Sequence, residues 1–344
     1  MSKTIYDIAR LSGVSVSTVS RVLNNNYPVS KATREKVEKV VDKYGFTPNV
    51  IAKSLITKTT FNLGVVVPGI TNLFFPSIVE EIQRNLADQG FIISLFTTDG
   101  DPGTEKSVIN SIISRSMDGI FVIDPSVENL ENGYLAGISR HTPTILINGR
   151  TDVKNVNFIS YDEEAGTREA LNYLRSLGHR EILFIRGDRS LSYDLREDVY
   201  KAFIEENGFS YSRILFVGKG NTADVINETD GKVRAWAVEG MDATAVLACN
   251  DLMAVGVLNG LIKEGIRVPE DVSIIGFDNT LVSGISNPRL TTIGIDVKYI
   301  GEKAAENMMI MIRNKQMKMD GILFDTKLIY RDSCGKRGQI CLKT

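Results

Sequence analysis

The sequence predicts a small all-α head followed by an α/β body built as two doubly wound parallel-sheet lobes. Three observations predict it. Residues 1–46 carry capped, helix-periodic patterns with no strand-like run. From Leu63 onward short β-branched runs alternate with amphipathic segments, the pattern of parallel α/β folds. A chain of 344 residues that is 43% apolar is long enough for more than one core.

In the head, Thr4 is placed to cap a first helix with Asp7 three residues later, and Ile5, Ile8 and Ala9 form its buried side. Gly13 closes that helix and makes the turn. Ser15 caps a second helix over residues 14–24 (VSVSTVSRVLN), which puts Val19, Val22 and Leu23 on one face and Ser17, Ser20 and Arg21 on the other. A third helix starts at Ser30, offers Val37, Val40, Val41 and Tyr44 as its packing face, and ends at Gly45. Two short helices around a tight turn, backed by a third, make a helix-turn-helix, whose second helix leaves one polar face free for a base edge.

Charge divides along the chain. Residues 1–58 hold ten Lys and Arg against four Asp and Glu, whereas the remainder holds 30 against 42 less those four, so a basic head precedes an acidic body. Basic charge concentrated in one unit suits phosphate contacts. No apolar run is long enough for a membrane span and no hydrophobic signal region begins the chain, so a cytoplasmic protein is expected. Cys249, Cys334 and Cys341 form no CxxC pair, and His141 and His179 fall in predicted loops, where surface roles are expected. Neither a metal site nor a cofactor is expected, and with no GxSxG or P-loop motif no catalytic residues are assigned.

The runs TIYDIARLSGVSVSTVSRVLN, SKATREKV, YGFTPNVIAKSL and GVVVPGITNLFF closely resemble the LacI/GalR family of bacterial transcriptional regulators, and the likeness extends to about Cys334. Ser12 stands where the family usually has alanine. The resemblance implies a homodimer on a palindromic DNA operator, with Val16 and Ser17 choosing bases and Val16 suited to a thymine methyl. Arg21 forks onto guanine or phosphate, while Thr4, Ser15, Thr18, Ser20 and Asn24 contact phosphates or cap helices. It further implies that residues 47–60 are a hinge helix and linker. There Leu55 wedges between base steps, with Asn49, Ala52 and Lys53 beside it, and the helix orders against its dimer mate in the minor groove.

Along the body, LGVVVP, FIISLF, GIFVI and TILIN read as a first series of strands, with helices over 75–89 and 104–115. NFISY, EILFI, RILFV, TAVLAC and VSIIGF form a second series, with helices over 163–177, 194–207, 222–239 and 251–264. After Pro288 come a strand LTTIGI, a helix over 297–314 and one last strand over 322–329. The resemblance implies a periplasmic-binding-protein-like body over 61–334 with three crossovers. Its N-lobe takes 61–161 and 291–320 and its C-lobe 162–290 and 321–334, followed by a tail over 335–344 without leucine heptads.

Such lobes bind ligands at strand carboxyl ends. By resemblance Phe75, Asn148, Tyr161, Arg196, Asn250 and Asp278 contact a small-molecule effector, a sugar or related metabolite. Three of them have a structural use as well: Arg196 could pair with Glu197 or Asp198, Asn250 could cap a helix, and Asp278 could make an Asx-turn. Two other functions fit parts of the pattern. One is a global carbon-catabolite regulator whose corepressor is a phosphorylated carrier protein, and the other is an exported sugar-binding protein.

Overall fold

The computed structural model describes residues 3–24, 27–46, 59–149, 156–314 and 321–337. The expected hinge, with Asn49, Ala52, Lys53 and Leu55, lies outside the described residues, as do the side chain of Asn24, Cys341 and most of the tail. The chain divides into two compact units, Met1–Thr60 and Phe61–Thr344.

The first unit contains α1 (Ile5–Ser12), α2 (Val16–Asn24) and α3 (Lys31–Tyr44). Thr4 and Asp7 close a reciprocal capping box: the Thr4 hydroxyl accepts from the Asp7 N–H at 3.3 Å, and the Asp7 carboxylate accepts from the Thr4 N–H at 3.0 Å. Gly13 ends α1 at φ +68°, where a side chain would have open space but a strained backbone. The left-handed conformation, not crowding, is what calls for glycine there. The Ser12 hydroxyl donates back to the Ile8 carbonyl at 2.6 Å, so it is satisfied within its own helix.

Ile8, Ala9, Val19, Val22 and Val37 form the core of this unit, with Ile5, Leu23, Val40, Val41 and Phe46 at its margin. Tyr44, expected on the packing face of α3, is instead 41% exposed. Gly45 reverses the chain at φ +59° and the Phe46 N–H bonds to the Val41 carbonyl, so Phe46 packs against the core.

The second unit holds two six-stranded sheets. The first runs β11 (Ile322–Phe324), β5 (Asn157–Tyr161), β4 (Thr144–Ile147), β3 (Gly119–Ile123), β1 (Asn62–Val67), β2 (Ile92–Thr97). The second runs β12 (Lys327–Ile329), β10 (Thr291–Gly294), β9 (Ser273–Asp278), β8 (Ala245–Ala248), β6 (Ile182–Arg186), β7 (Arg213–Phe216). All pairs are parallel except β10 with β12, which adds an antiparallel edge to the otherwise parallel second sheet.

Apolar runs such as NLGVVV and GIFVI suit strands covered on both faces. Leu63, Val65, Val67, Phe121 and Ile123 enter one core, shared with Ile78, Ile82 and Leu86 of α4 (Phe74–Ala87) and with Ile300, Ala304 and Met308 of α13 (Val297–Arg313). Val66, Ile120, Val122 and Leu146 enter the opposite one, with Ile109 and Ile112 of α5 (Pro102–Ser114). Strand period two thus assigns alternate residues to opposite layers. Gly301 allows α13 to lie close on α4, since a Cβ there would fall 2.4 Å from the Glu81 Cβ.

Three sequence expectations change. NFISY, read with the second series of strands although the N-lobe bounds 61–161 include it, is β5 of the first sheet. Thr291–Gly294, assigned to the N-lobe, is β10 of the second sheet, and only the helix after it returns to the first. The expected single strand over 322–329 is two strands, β11 in the first sheet and β12 in the second, so the C-lobe assignment of 321–334 fails at its start. Apolar runs mark strands but carry no information about long-range partners, which is why sheet membership was misassigned.

Beyond the expected helices, α6 (Val127–Glu131), α7 (Tyr134–Ser139) and α12 (Leu281–Ile285) are too short to show a period. The remaining helices, α8 (Glu163–Ser176), α9 (Leu191–Glu206), α10 (Asp224–Val238) and α11 (Asp251–Lys263), follow the expected segments. His179, expected at the surface, is fully buried between the Thr244 hydroxyl, the Ser273 hydroxyl and the Gly335 carbonyl. Among the described residues no helix is long and apolar enough to cross a membrane.

Candidate functional site

In the head, α2 presents a polar face. Val19 and Val22 are buried while Ser17 and Arg21 are exposed, and Val16, Thr18 and Ser20 lie between these extremes. The Ser15 hydroxyl accepts from the Thr18 N–H at 3.2 Å and lies 2.8 Å from the Ser17 hydroxyl. The Arg21 guanidinium sits 5.3 Å from the centre of the Tyr27 ring, a cation–π contact. Thr4 is used as the α1 cap.

In the body, a narrow cleft with about 10 Å³ of free space lies where strands of both sheets end. Asp124 follows β3, Asn148 follows β4, Tyr161 closes β5 and Asp278 closes β9. Phe74 and Phe75 begin α4, and Ser192, Tyr193 and Arg196 come from α9. All of these, with Asn72, Ser190 and Asn221, line the cleft. Asp124, Asn148 and Asp278 take φ values of +51°, +59° and +99°. Aspartate and asparagine tolerate the first two comparatively well, while +99° is unusual for any residue with a side chain.

Arg196, 2% exposed, is the buried centre of the C-lobe side. Its Nη2 donates to Glu163 Oε1 at 2.7 Å and to the Tyr161 hydroxyl at 3.4 Å, its Nη1 to the Cys249 carbonyl, and its plane lies 3.5 Å from the centre of the Phe277 ring. The alternative of pairing with Glu197 or Asp198 is not what forms: Glu197 binds Arg186 and Lys201 instead. Burial opposes the Arg196 charge, but Glu163 and its other anionic neighbours outweigh this and raise its pKa.

Direct bonds cross between the lobes. Asn148 Nδ2 donates to Asp124 Oδ1 at 3.2 Å on its own side and to the Ser192 hydroxyl at 2.7 Å on the other. Asn221 Nδ2 donates to Asp124 Oδ2 at 2.9 Å. At the mouth, Lys219 pairs with Asp99, and Arg189 with Glu131 at 2.7 Å.

Phe75, Asn148, Tyr161, Arg196 and Asp278 are therefore brought together, but Asn250 is not among the lining residues. Its Oδ1 accepts from the Met253 N–H at 2.9 Å and its Nδ2 donates to the Tyr193 hydroxyl and the Gly220 carbonyl, so it caps α11 and holds Tyr193 from behind. Asp278 makes no Asx-turn; the Asn279 N–H bonds to the Thr292 hydroxyl. The turn after Asp278 is fixed by Asp251, whose carboxylate accepts from the Thr280 N–H at 2.6 Å and from the Thr280 and Thr292 hydroxyls.

Burial pushes the Asp278 carboxyl up to about 8, with Arg196 pulling the other way and Asp251, Glu163 and Asp124 adding to the rise. Burial and then Glu163 push Asp124 up to about 7. Burial takes Asp251 to about 6 against its hydroxyl and amide donors.

Sequence reasoning missed Asn72, Phe74, Asp124, Ser190, Ser192, Tyr193 and Asn221. Two had a signal: Asp124 follows an apolar strand just as Asn148 does, and Tyr193 lies three residues before Arg196, on the same side of a helix.

A family model described as bacterial regulatory proteins of the lacI family matches residues 4–49, and one described as a periplasmic binding protein-like domain matches residues 171–334. The HTH-type transcriptional regulator DegA of Bacillus subtilis is 31% identical over 335 residues, covering 97% of this chain and 98% of its own. The chain belongs to the LacI family of DNA-binding transcriptional regulators.

Catabolite control protein A of Priestia megaterium is 30% identical over 92% of this LacI-family chain and 94% of its own length. The crystal structure of the Lac repressor dimer bound to operator and the anti-inducer ONPF superposes with a TM-score of 0.82 at 25% identity, over 97% of this chain and 99% of that one. These relatives are transcriptional regulators rather than enzymes, and they leave the exported sugar-binding alternative without support.

Proposed function

We propose that this LacI-family regulator is a dimeric repressor. In this reading α2 reads an inverted-repeat operator, and the cleft holds a small polar effector, a sugar or close relative, that controls operator affinity. The observation that carries the reading is the cleft itself: buried amide and carboxylate groups at strand carboxyl ends and the Arg196 guanidinium from α9 meet there, faced by Phe75, Tyr161 and Tyr193. Polar groups fixed in this way match hydroxyls, while ring faces cover the apolar side of a sugar. Groups from both lobes meet there, so a ligand has different contacts in open and closed forms, and that difference is the lever by which it controls DNA.

The head supplies the other half. Ser17 and Arg21 face outward from a helix whose opposite side is locked into a core, and the Lac repressor relative is a dimer on its operator. Val16 and Ser17 choose bases, Arg21 adds a guanine or phosphate contact, and Leu55 kinks the duplex. The protein acts by binding, in the cytoplasm where its DNA lies.

Selection of DNA from a random pool, followed by titration of the enriched sequence with and without a panel of metabolites, tests this. An inverted repeat whose affinity responds to a compound that also raises the melting temperature is expected. If a phosphorylated carrier protein changes operator affinity and no small molecule does, the corepressor reading suggested by the likeness to catabolite control protein A replaces it.

A further inference from the structure

Among the described residues lining the cleft, cations and carboxylates do not balance. Arg196 is the one cation there, and Glu163, the Cys249 carbonyl and the face of Phe277 already engage it. Asp124 receives only neutral amides, from Asn148 and Asn221. Asp278 is 6% exposed, lines the cleft and takes no hydrogen bond from any described residue. Its backbone takes φ +99°, and the turn after it is held by the Asp251 carboxylate through the Thr280 N–H. Lys219 and Arg189 at the mouth are each paired with a carboxylate of the other lobe.

A phosphate or carboxylate ligand would add negative charge to this lining, where the one donor left open on the Arg196 guanidinium is its buried Nε. A neutral polyol would offer hydroxyls to Asp278 but bring no counter-charge to it or to Asp124. An ammonium group would give Asp278 a donor and a counter-charge at once.

Taking the cleft as the effector site proposed above, we propose that the effector is a cationic polyol: a sugar-sized molecule bearing a primary amine whose ammonium lies against Asp278, with Asp124 as the second anion. The elevated proton affinity of both carboxyls is consistent with this, since a proton partly supplies the positive charge that the ligand brings. The groups facing Asp278 are Arg196, Asp251, Glu163 and Asp124, of which three are anionic.

The test uses the full-length protein at neutral pH in calorimetry and thermal-shift titrations. The probes are glucosamine, galactosamine and mannosamine, the three parent sugars, and the 6-phosphates of those parents. One amino sugar is expected to bind at least about tenfold more tightly than its parent, with the 6-phosphates weaker still. Asp278→Asn should lose that preference, and Asp124→Asn should reduce it, each variant being confirmed as folded by its melt without ligand. Tighter binding of a parent sugar or a 6-phosphate overturns the charge assignment and leaves the small-molecule reading standing. Silence from the whole series overturns this inference, while the proposed function is then decided by the operator titration.

Discussion

In the head, Ser17 and Arg21 stand on the outside of a nine-residue helix, and the core is made of Ile8, Ala9, Val19, Val22 and Val37, with no buried ion pair among the described residues. In the body, the polar groups of the cleft come from segments as far apart as Asn72 and Asp278, and Asn148, Arg196 and Asp278 are all nearly withdrawn from water. A phosphate backbone is long and solvated, so a surface of flexible cations and hydroxyls can meet it. A small metabolite must be enclosed, and the enclosing groups then bear the desolvation cost whether or not a ligand is present. In the proposed reading the cleft ties stability to binding, whereas in the head the two are separable.

The strongest way to break that contrast is Arg196→Ala. Removing one partner of a buried ion pair leaves Glu163 unpaired, and a loss of about 3–5 kcal/mol in body stability is expected from denaturant unfolding. A variant that melts like the wild type would place Arg196 in the same class as a solvated head residue. Arg21→Ala is the counterpart. Operator affinity should fall by about 1–3 kcal/mol, or five- to more than a hundredfold, with the body melt unchanged. Full retained affinity would remove Arg21 from the interface.

The pH dependence sharpens the comparison further. Asp278 and Asp124 hold protons more tightly in the folded chain, at about 8 and about 7, than their ordinary 3.8. The folded state then binds more protons than the unfolded one, so body stability should fall as pH rises from about 4 through 8, by at most about 1.4 kcal/mol per pH unit and group. Asp278→Asn should flatten the upper part of that slope in thermal melts from pH 6 to 9, and an unchanged slope would mean the carboxylate is compensated. The smallest effect is expected at Thr4→Ala, which deletes one half of the capping box and should cost the head about 1 kcal/mol in helix stability. Circular dichroism melts of the full chain should show this in the head transition only.

The same contrast explains what the sequence disclosed. Capping, the turn at Gly13 and the two faces of α2 are local, and each follows from residues within a few positions of one another. Tyr44 and Phe46 exchanged roles because a left-handed residue between them reverses the chain, a geometry that helical periodicity does not contain. For the body, alternating runs disclosed strands and helices, but the places of β5, β10 and β11 depend on pairings across the whole unit. Phe75, Asn148, Tyr161, Arg196 and Asp278 were found through family resemblance, whereas Asp124 and Asn221 become visible only when strand ends of both sheets are brought together. Asn250 shows the converse, a polar residue at a strand end whose side chain is consumed by a helix cap and by Tyr193.

The most direct test of the account is the affinity of the full-length protein for its selected inverted-repeat operator, measured by fluorescence anisotropy at fixed salt with the cleft empty and with the cleft saturated by the tightest ligand of the titrations. The account predicts at least about a tenfold change, in either direction, that is lost in Arg196→Ala. Operator affinity that stays the same while calorimetry shows the cleft occupied would contradict it.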